Sequence, residues 1–387
     1  MKLALSALCE NATRRTGLTT LFEELVDRSL RLYEGLRWIV FVAEDYPWGI
    51  DNSRVEIVKV RCSTQDVKRR IWFDHIVVPA RAGTMGAAAL VTVGFVPLRK
   101  CLPVVAHILS FQHQDSVNGV GKWRSAYRAM MVRRAALQAD LVITNSKWAA
   151  SQLLRSYPGC GDRTLISYEG VDHNRFCVAK GPHELERLYE NFGLMPGYFL
   201  WVSNFYPYKQ ADTLIKAYAR LDGQIRQKAP LVMVGGGWDD GANSAMALAK
   251  VLGVASDVKF LGWVSDEWLP TLYRNAVAFC HPSRDETFGR AVVEAMACGV
   301  PCVVNDIPVM REISGGHASF AAFGDSEAGA AALRAIWQEA SLREDLRQRG
   351  IQQASRFSFD ALARERLEAI FDLVSKRWRS RSGGRLL

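Results

Sequence analysis

The chain alternates short apolar runs with longer amphipathic stretches over almost its whole length. In the first half, runs rich in Val, Ile and Leu predict buried strands, and apolar residues spaced three or four apart predict helices. The predicted strands cover 2–8, 38–43, 55–60, 88–93, 103–107, 141–144 and 164–167, and the predicted helices cover 17–33, 122–138 and 146–156. Asn145 or Ser146 is expected to cap the last of these helices.

A second series begins at "YFLWVSN" and has the same alternation. Its predicted strands cover 198–204, 230–237, 258–263, 276–283 and 301–306, and its predicted helices cover 210–221, 241–252, 266–275, 289–298, 326–340 and 358–378. Strands that alternate with helices in this way predict parallel sheets with helices on both faces. The segment 176–196 has no strand pattern, so we place the domain boundary there. Ligands of doubly wound sheets bind at the carboxyl ends of the strands.

Size and composition agree with two folded domains, and the chain carries an excess of basic residues. The 387 residues are 49% hydrophobic and 23% charged, with a formal net charge of +9. Much of this charge lies near the C-terminus, at Lys376, Arg377, Arg379, Arg381 and Arg385. The excess favours an anionic partner, which a phosphorylated substrate or an anionic membrane surface would supply. No nucleic-acid-binding motif is present, so nucleic acid is not expected as a partner.

The sequence also bears on location. The apolar run Leu3–Leu8 is shorter than the roughly 7 to 15 residues of a secretory signal, and we interpret it as a first strand. The apolar stretch 85–98 is too short to span a membrane. The eight cysteines show no CxxC spacing. Buried thiols in a reducing cytoplasm are therefore expected.

The stretch "HPSRDETFGRAVVEAMACGVP" carries two glutamates across a junction between a loop and a helix. Glu286 follows a predicted strand, and Glu294 lies about one turn into the next helix. The backbone N–H groups of Phe288, Gly289 and Arg290 would be free to hold an anion. The pattern suits a ligand with one phosphate region and hydroxyls on either side. The spacing equally fits a solvated loop acid and a helix acid favoured by the dipole.

The longer segment "PSRDETFGRAVVEAMACGVPCVVND" resembles the E-x7-E segment of retaining GT-B glycosyltransferases of the family 4 type, the glycosyl transferases group 1. Further segments that resemble this family are 144–154, 168–176, 231–240, 258–276 and 356–367, whereas residues 35–85 resemble nothing specific. The resemblance implies an α/β chain of GT-B architecture, with two doubly wound Rossmann-like domains facing a central cleft. The expected domains are an acceptor-side domain 1–180, a nucleotide-sugar domain 181–357, and a helix with a basic tail, 358–387, that crosses back.

The same resemblance implies roles for residues of the second half. Glu286 would meet hydroxyls of the transferred sugar, Glu294 would bind the nucleotide ribose, and the amides of Phe288 and Gly289 would lie near the sugar or its phosphates.

In "VSNFYPYKQAD", Lys209 can present an ammonium to a leaving diphosphate, although a solvated loop lysine is the plainer alternative. The family pattern here is G-R-x-x-x-x-K-G. Asn204 stands in place of its Arg and Gln210 in place of its second Gly.

Two segments of the first half are second candidates. "RRTGLTTLFEEL" places Gly17 in a turn before a helix, and in the family this glycine loop approaches the donor phosphates. "PVVAHILSFQHQDS" ends a strand at His107, which the resemblance places over the donor sugar; Ile108 replaces the usual Asp. We predict His107 as a catalytic residue and keep His113 as the alternative. For Gly17 and for His107, a purely structural role is the alternative.

The resulting expectation is a metal-independent hexosyltransferase without a cofactor. No cluster of His, Cys and Asp has metal-ligand spacing, and no G-x-S-x-G motif indicates a hydrolase. The resemblance implies transfer of a hexose, with mannose from GDP-mannose slightly favoured, to a glycan or lipid-linked glycan, with retention. Cell-surface polysaccharide or lipopolysaccharide biosynthesis at the inner face of a membrane is the expected setting. A nucleotide-sugar epimerase and a non-catalytic partner subunit remain alternatives.

Overall fold

The computed structural model describes residues 1–8, 17–109, 122–179, 181–236 and 241–381. The strands are β1 (Lys2–Ser6), β2 (Arg37–Ala43), β3 (Val55–Val60), β4 (Leu90–Val93), β5 (Val104–His107), β6 (Leu141–Thr144), β7 (Thr164–Ile166), β8 (Tyr198–Val202), β9 (Leu231–Val234), β10 (Val258–Gly262), β11 (Ala276–His281), β12 (Cys302–Asn305) and β13 (Ser319–Ala321).

Helices connect most of these strands, whereas β2 and β3, and β4 and β5, are joined without a helix. The helices are α1 (Gly17–Leu32), α2 (Val67–Trp72), α3 (Val78–Thr84), α4 (Lys122–Gln138), α5 (Lys147–Ser156), α6 (Glu184–Phe192), α7 (Ala211–Ala219), α8 (Gly223–Lys228), α9 (Gly241–Val251), α10 (Leu269–Arg274), α11 (Arg290–Ala297), α12 (Pro308–Ser314), α13 (Ser326–Gln338), α14 (Ala340–Ala354) and α15 (Phe359–Arg381). Between α2 and α3 the backbone is π-helical over Phe73–Val77.

The chain forms two compact units, divided between Gly170 and Val171. The first unit combines the described residues up to Gly170 with α15. Its seven strands pair in the order β3-β2-β1-β4-β5-β6-β7, and all the pairs are parallel. The chain reverses its direction of winding between β1 and β4. This position is the topological switch point, where doubly wound folds bind ligands.

The C-terminal helix α15 is part of the first unit because its apolar face is buried there. Phe359, Leu362 and Leu367 belong to the same core as Leu21 and Phe22 of α1. The buried side chain of Arg366 also holds α15 in the first unit. The fully buried guanidinium of Arg366 donates to the hydroxyl and the carbonyl oxygen of Ser167, each over 3.1 Å. A hydrogen-bonded buried charge of this kind costs much less than an unpaired one.

The second unit comprises Val171–Ser358. Its six strands pair in parallel in the order β10-β9-β8-β11-β12-β13. Its switch point lies between β8 and β11. Aromatic side chains such as Phe199, Trp201 and Tyr218 fill the core between this sheet and its helices. The two units therefore have the same architecture, as the repeated pattern of the sequence predicts.

The predicted strands agree with the observed ones, and the differences concern elements with weak patterns. The prediction has no counterpart for β13, α6, α8, α12 and α14, nor for the helical segment from α2 to α3. The three-residue β13 is too short to show an alternation. The sequence of α14, "ASLREDLRQRGIQQA", is largely polar and lacks an apolar stripe. Ser146 caps α5, and its hydroxyl accepts from the Ala149 N–H over 2.9 Å.

Candidate active site

Two connections that follow neighbouring strands of the second unit meet at its switch point. Lys209 lies in a 3-10 turn, Pro207–Lys209, after β8, and Glu286 lies in the loop after β11. Backbone hydrogen bonds hold the loop to the turn: the Arg284 N–H donates to the Tyr208 carbonyl oxygen over 2.9 Å. The Ser283 hydroxyl donates to the same oxygen over 3.3 Å. The sheet therefore brings together residues that are 77 positions apart.

Glu286 and Lys209 form a nearly buried ion pair, with side chains 11% and 13% exposed. The carboxylate Oε1 accepts from Lys209 Nζ and, over 2.9 Å, from His281 Nε2. The second oxygen, Oε2, makes no hydrogen bond with any residue that the structure describes. Burial raises the pKa of Glu286, but the Lys209 ammonium and the His281 hydrogen bond together lower it to about 2. The site thus holds a fixed carboxylate with one oxygen left to accept a ligand hydroxyl.

His281 was not predicted from the sequence. It ends β11, is 2% exposed, and stacks on Phe279 with ring centroids 5.9 Å apart. Because a carboxylate can only accept, Nε2 carries the hydrogen that is donated to Glu286. Nδ1 is buried and has no partner among the residues described. The available signal was the placement of a histidine at the carboxyl end of a strand, five positions before the glutamate.

The segment that carries Lys209 differs from the usual family sequence at Asn204 and Gln210. Gln210 has a left-handed backbone with φ +53°, a conformation that glycine adopts without cost and other residues adopt at about 1 kcal/mol or more. The side-chain oxygens of Gln210 and Asn204 are buried without a partner in the described part of the chain. Asn204 therefore offers a neutral amide at the position where the resemblance expects an arginine. Its predicted contact with the donor stays a prediction.

Glu294 is in a different environment from Glu286. It is half-buried on α11 and accepts from the Tyr273 hydroxyl over 3.3 Å. Burial raises the pKa of Glu294, and Arg290 and Arg175 offset this only in part. The two glutamates that the sequence pairs thus lie on either side of the start of α11, and among the residues described Glu286 has an ion pair whereas Glu294 does not. The ribose contact predicted for Glu294 stays a prediction.

Gly289 and Phe288 shape the turn between the two glutamates. Gly289 precedes α11 with φ +90°, and a Cβ at this position would lie 2.6 Å from Met310 Cε. A larger residue would therefore require a strained backbone and a shift of the methionine. The ring of Phe288 is 2% exposed and packs edge-on against Phe357, with centroids 5.5 Å apart. Its ring is part of the core, so the predicted ligand contact of Phe288 concerns its backbone alone.

The first-unit candidates lie in the other sheet. Gly17 is the first residue of α1. His107 ends β5, is fully buried, and packs edge-on against Phe22 at 5.4 Å. Burial, and next the Arg366 guanidinium, hold the pKa of His107 well below its usual range, so the ring is neutral. The catalytic role predicted for His107 stays a prediction, now for a neutral imidazole. His113 lies outside the described residues.

Two further observations concern the described residues as a whole. Among them, no three or more His, Cys, Asp or Glu side chains are grouped so that they could hold a metal ion. Of the helices in the described ranges, none combines the length and the apolar character needed to cross a bilayer.

Comparison with known sequences gives a family match within the second unit. Residues 186–353 match the family model described as glycosyl transferases group 1. Over 250 residues, the chain is 29% identical to the O-antigen chain mannosyltransferase B of Escherichia coli. This match covers 64% of this chain and 65% of that protein. Over 268 residues, the chain is 30% identical to the D-inositol 3-phosphate glycosyltransferase of Salinispora tropica. This match covers 64% of this chain and 54% of that protein. The matches therefore span between about half and two thirds of these curated relatives.

Comparison with solved structures identifies the fold of the whole chain. Sucrose-phosphate synthase from Thermosynechococcus elongatus superposes with a TM-score of 0.80 at 19% identity, covering 97% of this chain and 99% of that one. WaaG, a glycosyltransferase involved in lipopolysaccharide biosynthesis, superposes with a TM-score of 0.76 at 18% identity, covering 94% and 97%. Two parallel-sheet, Rossmann-like units and these neighbours define the GT-B fold, which confirms the predicted fold class. The match to the glycosyl transferases group 1 covers residues 186–353, which is less than half of the chain.

Proposed function

We propose that this chain is a glycosyltransferase that moves a hexose from a nucleoside-diphosphate sugar to a hydroxyl of a glycan or lipid-linked glycan. The observation that carries the proposal is the Glu286 carboxylate, which Lys209 and His281 hold through one oxygen while the other oxygen has no partner among the described residues. Such a group can accept a sugar hydroxyl next to a cation suited to a diphosphate.

Charge development during transfer explains why these two residues lie together. When the glycosidic bond breaks, negative charge grows on the leaving diphosphate and positive charge grows on the anomeric carbon. The Lys209 ammonium has donors left after its bond to Glu286 and would stabilise the diphosphate. The carboxylate of Glu286 would hold a sugar hydroxyl and stabilise the positive ring. A preorganised ion pair of this kind needs little rearrangement during the reaction.

The proposed reaction retains the configuration of the anomeric carbon. The acceptor oxygen forms its bond to the anomeric carbon on the face from which the diphosphate leaves. The acceptor proton passes to the leaving phosphate oxygen, so no enzymic base and no covalent intermediate are required. Positioning and electrostatic stabilisation supply the rate enhancement. Glu294 is proposed to bind the nucleotide ribose, and the Asn204 amide is proposed to replace a charged contact with a neutral one.

Mannose carried by GDP is the proposed donor. Two relatives support this choice: the O-antigen chain mannosyltransferase B and, at 25% identity over 239 residues, the serotype-specific mannosyltransferase WbdA of Escherichia coli. A solved neighbour at 18% identity, Anabaena HepE, is in complex with UDP-glucose, which makes UDP-glucose the main competitor. The names of the two mannosyltransferases also favour a glycan acceptor in cell-surface polysaccharide biosynthesis.

A donor screen followed by product analysis tests the proposal. Thermal shift with GDP-mannose, UDP-glucose, UDP-galactose and UDP-N-acetylglucosamine should show the largest increase in Tm with GDP-mannose. The labelled sugar should then appear on a mannose oligosaccharide with the anomeric configuration of the donor by NMR. Interconversion of the donor sugar without acceptor would instead indicate an epimerase. Donor binding without transfer to any acceptor would indicate a non-catalytic subunit.

We also propose peripheral docking on an anionic membrane surface, where a lipid-linked acceptor would be found. The support is the formal net charge of +9 with its basic C-terminal stretch. Each basic residue near an anionic surface contributes about 1 kcal/mol of attraction. Flotation with vesicles that contain phosphatidylglycerol should recover the protein, and vesicles of phosphatidylcholine alone should not. Equal recovery with both vesicles, or recovery with neither, would reject this part of the proposal.

A further inference from the structure

A second polar cluster lies in the first unit, in the region of the sequence that resembles nothing specific. Asp74 and His75 lie on the π-helical segment Phe73–Val77, and both side chains are buried, with exposures of 8% and 3%. π-helical turns are rare, occur mostly as single turns inside α-helices, and are frequent at functional sites. A polar pair buried on such a segment therefore calls for a functional explanation.

The cluster is at the switch point of the first sheet. Ser6, the last residue of β1, donates its hydroxyl hydrogen to Asp74 Oδ1 over 2.5 Å. β1 is paired with β4 on the side where the winding reverses, and Phe95, just after β4, packs on the His75 ring at 5.2 Å. On the far side, the Tyr127 hydroxyl of α4 lies 3.1 Å from His75 Nε2. Three elements thus place polar atoms, and a fourth places an aromatic ring, where a doubly wound sheet binds its ligand.

The cluster has unused hydrogen-bonding capacity. Asp74 Oδ2 makes no hydrogen bond with the residues that are described. His75 Nδ1 is buried and likewise lacks a partner within the described ranges. Buried polar atoms are rarely left without a partner, so the ring nitrogen of His75, together with the second carboxyl oxygen of Asp74 on the preceding residue, favours a ligand that supplies hydroxyl groups.

We propose that Ser6, Asp74, His75 and Tyr127 form a subsite for an uncharged saccharide, the sugar of the acceptor that carries the attacked hydroxyl. This inference rests on the proposed function, and it names the acceptor class for that reaction. The carboxyl group of Asp74 opposes a phosphate at the same point, so the donor diphosphate and a phosphorylated acceptor both fit poorly. Residues 35–85, where the family resemblance is absent, would thereby supply the selectivity for the acceptor.

Saccharide binding to the full chain tests the subsite without relying on transfer. Saturation-transfer NMR with methyl α-mannoside and α-1,3-mannobiose should detect binding in the millimolar range. Asp74→Asn should weaken the binding about tenfold, because the amide has one acceptor oxygen where the carboxyl group has two, so one hydrogen bond to the ligand is lost. Asp51→Asn, an exposed carboxylate of the same unit, is the matched control and should bind as the unmodified chain does. Tyr127→Phe is a second, milder variant should Asp74→Asn fail to fold.

Each outcome decides between the alternatives. Loss of saccharide binding in Asp74→Asn and Tyr127→Phe, but not in Asp51→Asn, supports the subsite. No saccharide signal from the unmodified chain, equal binding by the variants, or tighter binding of myo-inositol 1-phosphate than of mannobiose would overturn it. Failure of the proposed function is a separate result, since it would appear as an absence of donor binding in the thermal-shift screen.

Discussion

Two buried carboxyl groups, one in each unit, lie at the carboxyl ends of similar parallel sheets, and yet their pKa values are shifted in opposite directions. Burial raises the pKa of Asp74 to about 7, and the hydrogen bond from Ser6 and the more distant Arg70 do not offset it. Burial also acts on Glu286, but Lys209 and His281 lower its pKa to about 2. The sheets are alike, so the difference comes from the partners of each carboxyl group.

The opposite pKa shifts suit the two carboxyl groups to two different kinds of ligand. A fixed anion beside an ammonium suits a reaction in which charge separates, as the transfer of a sugar from a diphosphate requires. A carboxyl group without a close cation, next to neutral hydroxyl and imidazole groups, suits an uncharged ligand. Under the proposed function, the ion pair with Lys209 therefore distinguishes the tasks of the two carboxyl groups, and the following variants test that proposal.

The largest effect is expected for Lys209→Ala. The variant removes the cation from Glu286 and from the leaving diphosphate, so kcat should fall by about 10³-fold. The Glu286 carboxyl group would then resemble Asp74, with a pKa raised by burial. Transfer from the preferred donor is the measurement, and Lys216→Ala, an exposed lysine of the same unit, is the control. A kcat within a few-fold of the unmodified chain would show that the ion pair is merely structural.

The two carboxyl groups should also give opposite dependences of stability on pH. The raised pKa of Asp74 means that the folded chain keeps a proton that the unfolded chain loses, so stability should fall as the pH rises from about 4 to about 7. Asp74→Asn should remove this loss, which is on the order of 4 kcal/mol at most. Arg70, Cys62 and Tyr127 lie close enough to modify it.

For Glu286 the sign is reversed. Its lowered pKa contributes stability above about pH 4.5, and this stability is lost as the pH falls towards about 2. Urea unfolding of the unmodified chain, Asp74→Asn and Glu286→Gln between pH 3 and pH 8 measures both effects. If the advantage of Asp74→Asn over the unmodified chain did not grow with pH, the contrast between the two carboxyl groups would be wrong.

Glu294 should affect donor binding more than turnover. It accepts from Tyr273 and forms no ion pair with the residues that are described, so its proposed task is to accept a ribose hydroxyl. Glu294→Ala should raise the donor KM about tenfold with a small change in kcat, because the contact is present in both the ground state and the transition state. Glu294→Gln should recover part of the affinity. A fall in kcat at unchanged KM would place Glu294 in the chemical step instead.

The smallest effect is expected at His281, which acts through Glu286. His281→Phe removes the second donor to Oε1, so the carboxylate should lose its fixed orientation and kcat should fall about tenfold. His281→Gln keeps an N–H donor and should restore most of this loss. Equal loss in both variants, together with lower thermal stability, would indicate that the histidine serves only the packing at the end of β11.

Which parts of this arrangement the sequence can predict depends on the range of the interactions. Strand and helix periods are local, so they predict nearly every strand of both sheets. The E-x7-E spacing is local as well, and it predicts that Glu286 lies in the loop before a helix and Glu294 about one turn into that helix. The Lys209 to Glu286 pair and the Ser6 to Asp74 bond join residues 77 and 68 positions apart, so their geometry depends on the order of the strands.

Two residues illustrate the limit. His281 precedes Pro282 in an apolar strand, and from the sequence alone it is a buried strand residue like its neighbours. Gln210 is a polar residue where a glycine is usual, and only the backbone shows that it keeps the left-handed conformation of that glycine. The sequence therefore indicates which positions are unusual, whereas the packing of the strands determines what the unusual residues contact.

The most direct test of the central claim is the turnover of Glu286→Gln with saturating donor. Glutamine keeps the shape of the side chain but removes the charge, so it cannot stabilise positive charge on the sugar and no longer pairs with Lys209. We predict that kcat falls by about 10² to 10³-fold, whereas Glu267→Gln, an exposed glutamate of the same unit, turns over like the unmodified chain. A Glu286→Gln chain that transfers sugar at the unmodified rate would contradict the assignment of this carboxylate to the reaction.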